Sequence, residues 1–178
     1  MNHHRVKDLL LRALETEICG QELYGLALHC AANGKLKEDW DRYLAETCRH
    51  EAILRDLLAM LDIDAEEETL GRRIARQQGE SLAMAMEMAL DARNAETAQL
   101  VAAECVVLAE TADQHHWKLI GTLARKAIGQ QHRALQRAHA LVEQEEDTHL
   151  LLSRGWRREL WLDALGLRAV LPPPEVRL

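Results

Sequence analysis

Proline is absent from the first 171 residues of this chain, and all three prolines stand together at 172–174. Proline interrupts a helix because it lacks a backbone donor and clashes with the preceding turn, so nothing before residue 172 is forced to break a helix in this way. Phenylalanine is also absent, and the strong helix formers alanine and leucine dominate the apolar residues. The sequence therefore predicts an all-α fold.

Apolar residues recur at helical spacing in four long stretches. The predicted helices run from about Val6 to a stop at Ala32-Asn33-Gly34, from about Lys37 to Met60, from Asn94 or Thr97 to about Ala124, and from near Gly129 to Leu165. The segment between the second and third predicts short helices over 69–78 and 81–90. The pattern indicates an antiparallel four-helix bundle, with short extra helices between its two hairpins and at the C-terminus. Residues 1–168 are expected to form one domain and residues 169–178 a C-terminal tail.

The formal net charge of −7 argues against a nucleic-acid partner, which needs a clustered basic surface. The short basic runs at 72–76 and 154–158 are interpreted as solvated helix faces. No signal-like N-terminus and no apolar run of about 18 residues is visible, so we expect no membrane association. The four cysteines form no C-x-x-C pair, which favours a reducing, cytoplasmic location.

Acidic residues and histidines occupy core-facing positions where leucine would be expected. Glu17 lies between Leu14 and Ile18, and His50 precedes Leu54 by one helical turn. Buried charges are costly unless they are paired or bind a metal. Glu146 and His149 share one face of the fourth predicted helix, although the chain is rich enough in both residue types for one Glu-x-x-His to arise by chance.

An approximate internal repeat in the sequence gives the Glu146-x-x-His149 motif more weight. A shift of 99 residues matches Glu46 with Glu145, His50 with His149, Arg55 with Arg154 and Leu61 with Leu160, and it places Thr47 opposite Glu146. A shift of 93 residues matches Glu17 with Glu110, Leu14 with Val107 and Tyr24 with Trp117. The two halves of the chain are therefore interpreted as two related helical hairpins that face each other.

Such an arrangement has a known coordination chemistry. One Glu from each of two helices, with a Glu-x-x-His from each of the other two, holds two iron or manganese ions in a bundle core. The candidate residues follow that order along the chain: Glu17, His50, Glu110, Glu146 and His149.

The arrangement resembles the ferritin-like superfamily of di-metal carboxylate bundles. Glu17 with Tyr24 seven residues later is similar to the first-helix pattern of rubrerythrin-type members. The stretch YLAETCRHEAIL at 43–54 resembles the second helix of small bacterial stress-associated ferritin-like proteins, roughly H-x-x-x-T-x-x-H followed by an apolar pair. The resemblance implies a ferritin-like bundle with a di-metal site of iron or manganese. It also implies a stress-response role in handling oxygen, peroxide or Fe(II), as a di-iron oxidoreductase or a ferroxidase-like protein.

The chain departs from that pattern at two positions. Thr47 stands where the Glu of the first Glu-x-x-His should be, and Tyr43 stands where the stress proteins tend to carry a His. Glu46 is the candidate to replace the missing carboxylate by a small helix rotation, and Glu104 competes with Glu110 as the third-helix ligand. The Asp113-x-x-His116 pair is interpreted as a polar flank.

A second class of function is a metal-free bundle that acts as a binding or oligomerisation module. Trp156 and Trp161 lie five residues apart in one amphipathic run and offer an apolar contact face. We expect a homodimer formed through this face, because most oligomers are twofold.

Overall fold

The computed structural model describes residues 2–177, and this part of the chain contains five long α-helices and no strand. The helices are α1 (His3–Cys30), α2 (Gly34–Met60), α3 (Leu70–Asp91), α4 (Ala95–Lys126) and α5 (Gly129–Ala164), followed by the 3-10 turn Pro174–Arg177. The predicted all-α fold is confirmed. None of the described helices is both long and apolar enough to cross a membrane.

Four of the helices contact one another in a closed ring. α1 packs on α2 and α4, and α5 packs on the same two helices from the other side. Glu17 of α1 meets Trp117 of α4, and Tyr24, two turns later, meets Glu110, so these two helices run antiparallel. The same reasoning applies to α2 and α5, where Asp39 meets Trp156 and Glu46 meets His149.

The segment between the two hairpins is one continuous helix, so the prediction of two short helices is wrong. α3 packs on α1 and α4 and runs parallel to α1, since Gly71 lies beside Asp8 and Gly79 beside Cys19. A Cβ added at Gly79 would lie 2.5 Å from the Cys19 Cβ. Gly79 is therefore a close-packing residue, and the chain uses α3 to return along the bundle before α4 begins.

The basic run at the start of α3 also differs from its interpretation as a solvated face. Arg72 is buried, and its Nε donates to the buried Glu15 of α1 at 2.6 Å. Arg76 donates to the other oxygen of the same carboxylate at 2.6 Å. This double ion pair fastens α3 to α1.

Two predicted helix boundaries can be compared with the helix caps in the structure. The predicted end of the first helix at 32–34 is confirmed to within two residues, because α1 ends at Cys30. Asn33, however, is the N-cap of α2, where its side chain accepts from the backbone N–H groups of Lys35 and Leu36. The predicted cap at Asn94 is confirmed, because its side chain accepts from the Thr97 N–H.

The C-terminal tail folds back onto α5 instead of forming an extra α-helix. Glu175 accepts from Arg158 at 2.8 Å, and the Val170 N–H donates to Glu159 at 2.7 Å.

The predicted contact face for a homodimer is not available in full, because Trp156 is 1% exposed and its indole N–H donates to Asp39 at 3.0 Å. Trp161 alone is 41% exposed.

Two apolar clusters fill the bundle, one towards each end. One cluster contains Leu23, Tyr24, Trp40 and Trp156, and the other contains Leu10, Leu14, Leu54 and Trp117. Glu17, His50, Glu146 and His149 lie between these clusters and are all at most 1% exposed. The fold therefore places a polar layer in the middle of an apolar core.

The packing of α3 on α1 can be tested with a pair of glycine substitutions. Gly79→Ala should lower the melting temperature, because the added methyl collides with the Cys19 side chain. Gly25→Ala in α1 is the matched control, since no atom lies within 4 Å of the added Cβ. It should stabilise the protein by up to about 1 kcal/mol through helix propensity. Equal melting temperatures for the two variants, measured by circular dichroism, would contradict this packing.

Candidate metal centre

Five of the six predicted site residues lie in two groups that share one side chain. Glu17 of α1, His50 of α2 and Glu146 of α5 form one triad, and Glu110 of α4, Glu146 and His149 form the other. Within each triad the potential ligand atoms lie within 4.8 Å of one another, and all five residues are buried. Glu146 belongs to both triads, so the two triads form one continuous cluster.

The distances show how closely imidazole and carboxylate atoms approach. His50 Nδ1 lies 3.0 Å from Glu146 Oε1 and 3.6 Å from Glu17 Oε1. His149 Nδ1 lies 3.5 Å from Glu110 Oε2 and 3.7 Å from Glu146 Oε1. Neither Nδ1 atom has a hydrogen bond of acceptable geometry. Both histidines thus present an unused ring nitrogen to the carboxylates.

Unsatisfied buried atoms are concentrated at this layer. The great majority of buried polar atoms in proteins have a hydrogen-bond partner, so a cluster of exceptions calls for a cause. The unpartnered atoms in and beside the triads are Glu17 Oε2, His50 Nδ1, Glu110 Oε2, Asp113 Oδ1, Glu146 Oε2 and His149 Nδ1. Lone pairs on carboxylate oxygen and imidazole nitrogen are the donor atoms that bind transition-metal ions.

The outer nitrogen of each histidine is held by a carboxylate from the facing helix. His50 Nε2 lies 2.7 Å from Glu145 Oε2, and His149 Nε2 lies 2.6 Å from Glu46 Oε2. Because an ionised carboxylate only accepts, each bond requires a proton on Nε2 and turns Nδ1 inward, where it offers a lone pair whenever the ring is neutral. Glu46 therefore lies outside both triads and orients His149, which differs from the ligand role predicted for it.

Two aromatic side chains orient the glutamates of α1 and α4. The Trp117 Nε1–H donates to Glu17 Oε1 at 2.7 Å, and the Tyr24 hydroxyl donates to Glu110 Oε1 at 2.6 Å. Each bond occupies one carboxylate oxygen and leaves Oε2 of the same group without a partner. These bonds cross between the halves of the chain, just as the bonds to the histidines do.

The electrostatics of the layer disfavour its charged form in the absence of an ion. Burial, reinforced by Asp113 and Glu146, raises the pKa of Glu17 well above its usual value. Burial and Glu110 likewise raise the pKa of Glu146. Burial lowers the pKa of His50. Burial also opposes the charged form of His149, but the carboxylates of Glu110 and Glu46 prevail and raise its pKa to about 10. Metal binding must therefore displace protons from this layer.

The structure distinguishes Glu110 from the alternative ligand Glu104. Glu104 is exposed on α4, where its carboxylate accepts from the Trp161 indole at 2.9 Å.

Thr47 is buried next to α1, and its methyl carbon would lie 3.1 Å from a Cβ added at Gly20. The α2 position that carries a carboxylate in the predicted motif therefore contributes only a small side chain.

Asp113 is a buried member of this layer that the sequence interpretation assigned to a polar flank. It is 6% exposed, and its Oδ1 atom has no hydrogen-bond partner. Its i,i+3 relation to Glu110 and its i,i+4 relation to Trp117 were visible in the sequence and place it on the same helix face. That spacing was the signal that the sequence interpretation missed.

A cavity of about 410 Å³ lies between α2 and α5, on the outer side of the carboxylates that hold the two histidines. Tyr43, Glu46 and Glu145 line it, together with Arg42. Tyr43 also packs against the His149 ring at a centroid distance of 4.3 Å. Glu46 and Glu145, which hold the two histidines, are therefore also the residues that separate the triads from water.

No protein-family model, curated protein or solved structure matches this chain. The function is therefore inferred from the geometry and chemistry of the site itself.

Two buried glutamates on α1 allow a test of this electrostatic description. Glu17→Gln should raise the melting temperature of the metal-free protein at neutral pH, because it removes a buried charge that lies among other carboxylates. The gain should fade as the pH falls, since the raised pKa means that wild-type Glu17 takes up a proton there and becomes neutral as well.

Glu15→Gln is the matched control, two residues away on the same helix. It leaves Arg72 buried without its full partner and should destabilise the protein by about 3 kcal/mol. Thermal melts of the metal-free proteins measure both effects. A loss of stability in Glu17→Gln similar to that in Glu15→Gln would show that Glu17 is an ordinary structural residue.

Proposed function

We propose that this protein is a di-metal carboxylate protein of the ferritin-like type that binds two iron or manganese ions in the centre of its bundle. The observation that carries the proposal is the pair of triads that share Glu146, each of which joins carboxylate oxygens to an imidazole nitrogen that lacks a partner. Carboxylate and imidazole donors suit these ions. The antiparallel ring of α1, α2, α5 and α4 supports the comparison with ferritin-like bundles.

Different residues would bind the ions, orient the binding side chains and limit the access of water. Glu17 and His50 would hold one ion and Glu110 and His149 the other, and Glu146 would be available to both. Glu145 and Glu46 keep the histidine Nδ1 lone pairs directed inward, while Trp117 and Tyr24 fix the planes of the two terminal glutamates. A bound pair of such ions supplies one-electron chemistry with oxygen, peroxide or Fe(II). The apolar clusters on either side limit the access of water to the layer.

The unpartnered polar atoms of the central layer argue against the alternative function, a metal-free binding module. A purely structural bundle gains nothing from unpartnered carboxylates in its core, because each costs free energy without a compensating bond. The burial of Trp156 removes half of the apolar face that favoured that alternative. Metal binding accounts for the layer, whereas a contact function on the outer surface does not require it.

The first test counts ions. Metal-free protein titrated anaerobically with Fe(II), or with Mn(II), should take up two ions per chain. Glu146→Gln should abolish uptake at both positions, because this side chain belongs to both triads. The control is Glu104→Gln, which changes an exposed glutamate of α4 and should leave uptake unchanged. Equal background uptake by wild type and both variants, measured by metal analysis after dialysis, would end the proposal.

The second test concerns the reaction. Protein loaded with Fe(II) should oxidise it on addition of oxygen or hydrogen peroxide faster than the Glu146→Gln variant under the same conditions, because only the wild type holds two ions side by side. Stopped-flow absorbance records Fe(III) formation, and separate experiments with oxygen and peroxide identify the preferred oxidant. Identical rates in wild type, variant and free Fe(II) would limit the function to metal binding.

A further inference from the structure

The contacts of the site follow an approximate twofold relation between the halves of the chain. Residues 17, 24, 46 and 50 correspond to 110, 117, 145 and 149 by the two shifts that relate the hairpins. The aromatic of each half holds the glutamate of the other, and the outer carboxylate of each half holds the histidine of the other. The relation in sequence is thus also a relation in space.

Two positions break this symmetry, and at both of them the second half carries a carboxylate where the first half has a small residue. Thr47 corresponds to Glu146, so the first half lacks one carboxylate. By the shift of 93 residues Gly20 corresponds to Asp113, so the second half has gained one. Gly20 and Thr47 lie in contact distance of each other, which brings the two small residues of the first half to one place.

The packing of α1 on α4 places Asp113 at this same level. Glu17 pairs with Trp117 and Tyr24 with Glu110. In an antiparallel pair Asp113 therefore lies opposite Gly20 and Gln21. Gly20 contributes no side chain at this level. Asp113 is buried, and its Oδ1 atom has no hydrogen-bond partner.

We propose that Asp113 supplies the carboxylate that Thr47 lacks and binds the ion held by Glu17, His50 and Glu146. This inference rests on the proposed di-metal function. Asp113 stands outside both triads as the side chains lie, so it reaches the ion by a change of its side-chain torsion or through a bound water. With it, the layer has two imidazoles and four carboxylates, and the four negative charges of the carboxylates offset the charge of two divalent ions.

The strongest electrostatic neighbours of Asp113 agree with this position. Among the charged groups that raise the pKa of Glu17, Asp113 ranks first, ahead of Glu146. Glu146 is in turn the charged group that most raises the pKa of Asp113 itself. A cation bound among Asp113, Glu17 and Glu146 would relieve the repulsion between these three carboxylates.

The test compares Asp113→Asn with wild type in a titration of metal-free protein with Mn(II), followed by dialysis and metal analysis. Wild type should bind two ions. Asp113→Asn should keep one ion at the triad of Glu110, Glu146 and His149 and bind the other at least tenfold more weakly. Asp39→Asn is the control, since it changes a buried carboxylate of α2 that is bonded to Trp156 and Arg42, and it should retain both ions.

The melting temperature of the metal-free proteins separates a ligand from a structural residue. Asp113→Asn should melt at or above the wild-type temperature, because it removes a buried charge without a partner; a lower temperature would overturn the proposal. Unchanged uptake by Asp113→Asn, whether of two ions or of one, would also overturn it. If Glu146→Gln still abolished that uptake, the di-metal function would stand without Asp113. Absence of uptake by wild type would instead remove the di-metal function itself, and the role of Asp113 with it.

Discussion

Burial of several carboxylates at one level of an apolar bundle is the constraint on which the rest of this structure depends. Each ionised carboxylate that leaves water loses several kcal/mol of solvation, and like charges at a few ångströms add to that cost. Glu17 and Glu146 nevertheless lie between two apolar clusters and keep one oxygen each without a partner. A fold that tolerates this arrangement must hold the groups rigidly from outside. The surrounding residues do so.

Each helical hairpin holds the site residues of the other hairpin in place. Tyr24 of α1 holds Glu110 of α4, and Trp117 of α4 holds Glu17 of α1, so neither glutamate can turn away without loss of a buried bond. Glu46 and Glu145 do the same for the histidines across the α2–α5 contact. Because every supporting bond crosses from one half of the chain to the other, assembly of the site and docking of the two hairpins are the same event.

Much of this was accessible from the sequence, because helical periodicity specifies which residues share a face. The spacing of Glu17, His50, Glu110, Glu146 and His149 predicted correctly which residues converge. Periodicity does not specify which neighbour a side chain meets, and the errors follow from that limit. Glu46 was a plausible ligand until its partner proved to be the outer nitrogen of His149. Two short helices were predicted over 69–78 and 81–90, whereas α3 is continuous through Gly79, which packs closely against Cys19. Trp156 was assigned to an outer face, but Asp39 offers it a buried acceptor.

Glu15 and Glu17 of α1 are both buried but differ in their partners. This difference shows that unpartnered carboxylate oxygens are a specific feature of the central layer. Glu15 is as deeply buried as the site residues, yet Arg72 and Arg76 donate to both of its oxygens, and its pKa is lowered. The same helix therefore satisfies a buried carboxylate fully where it faces α3 and leaves Glu17 half satisfied where it faces α2, α4 and α5. Arginine is available to this chain as a partner for buried acids, but the central layer contains imidazoles whose inward nitrogens are unpartnered. A guanidinium has only donors and would have filled the space with fixed charge, whereas imidazole offers a lone pair. The choice of partner at the two positions separates a structural ion pair from the layer that we propose is completed by a bound cation.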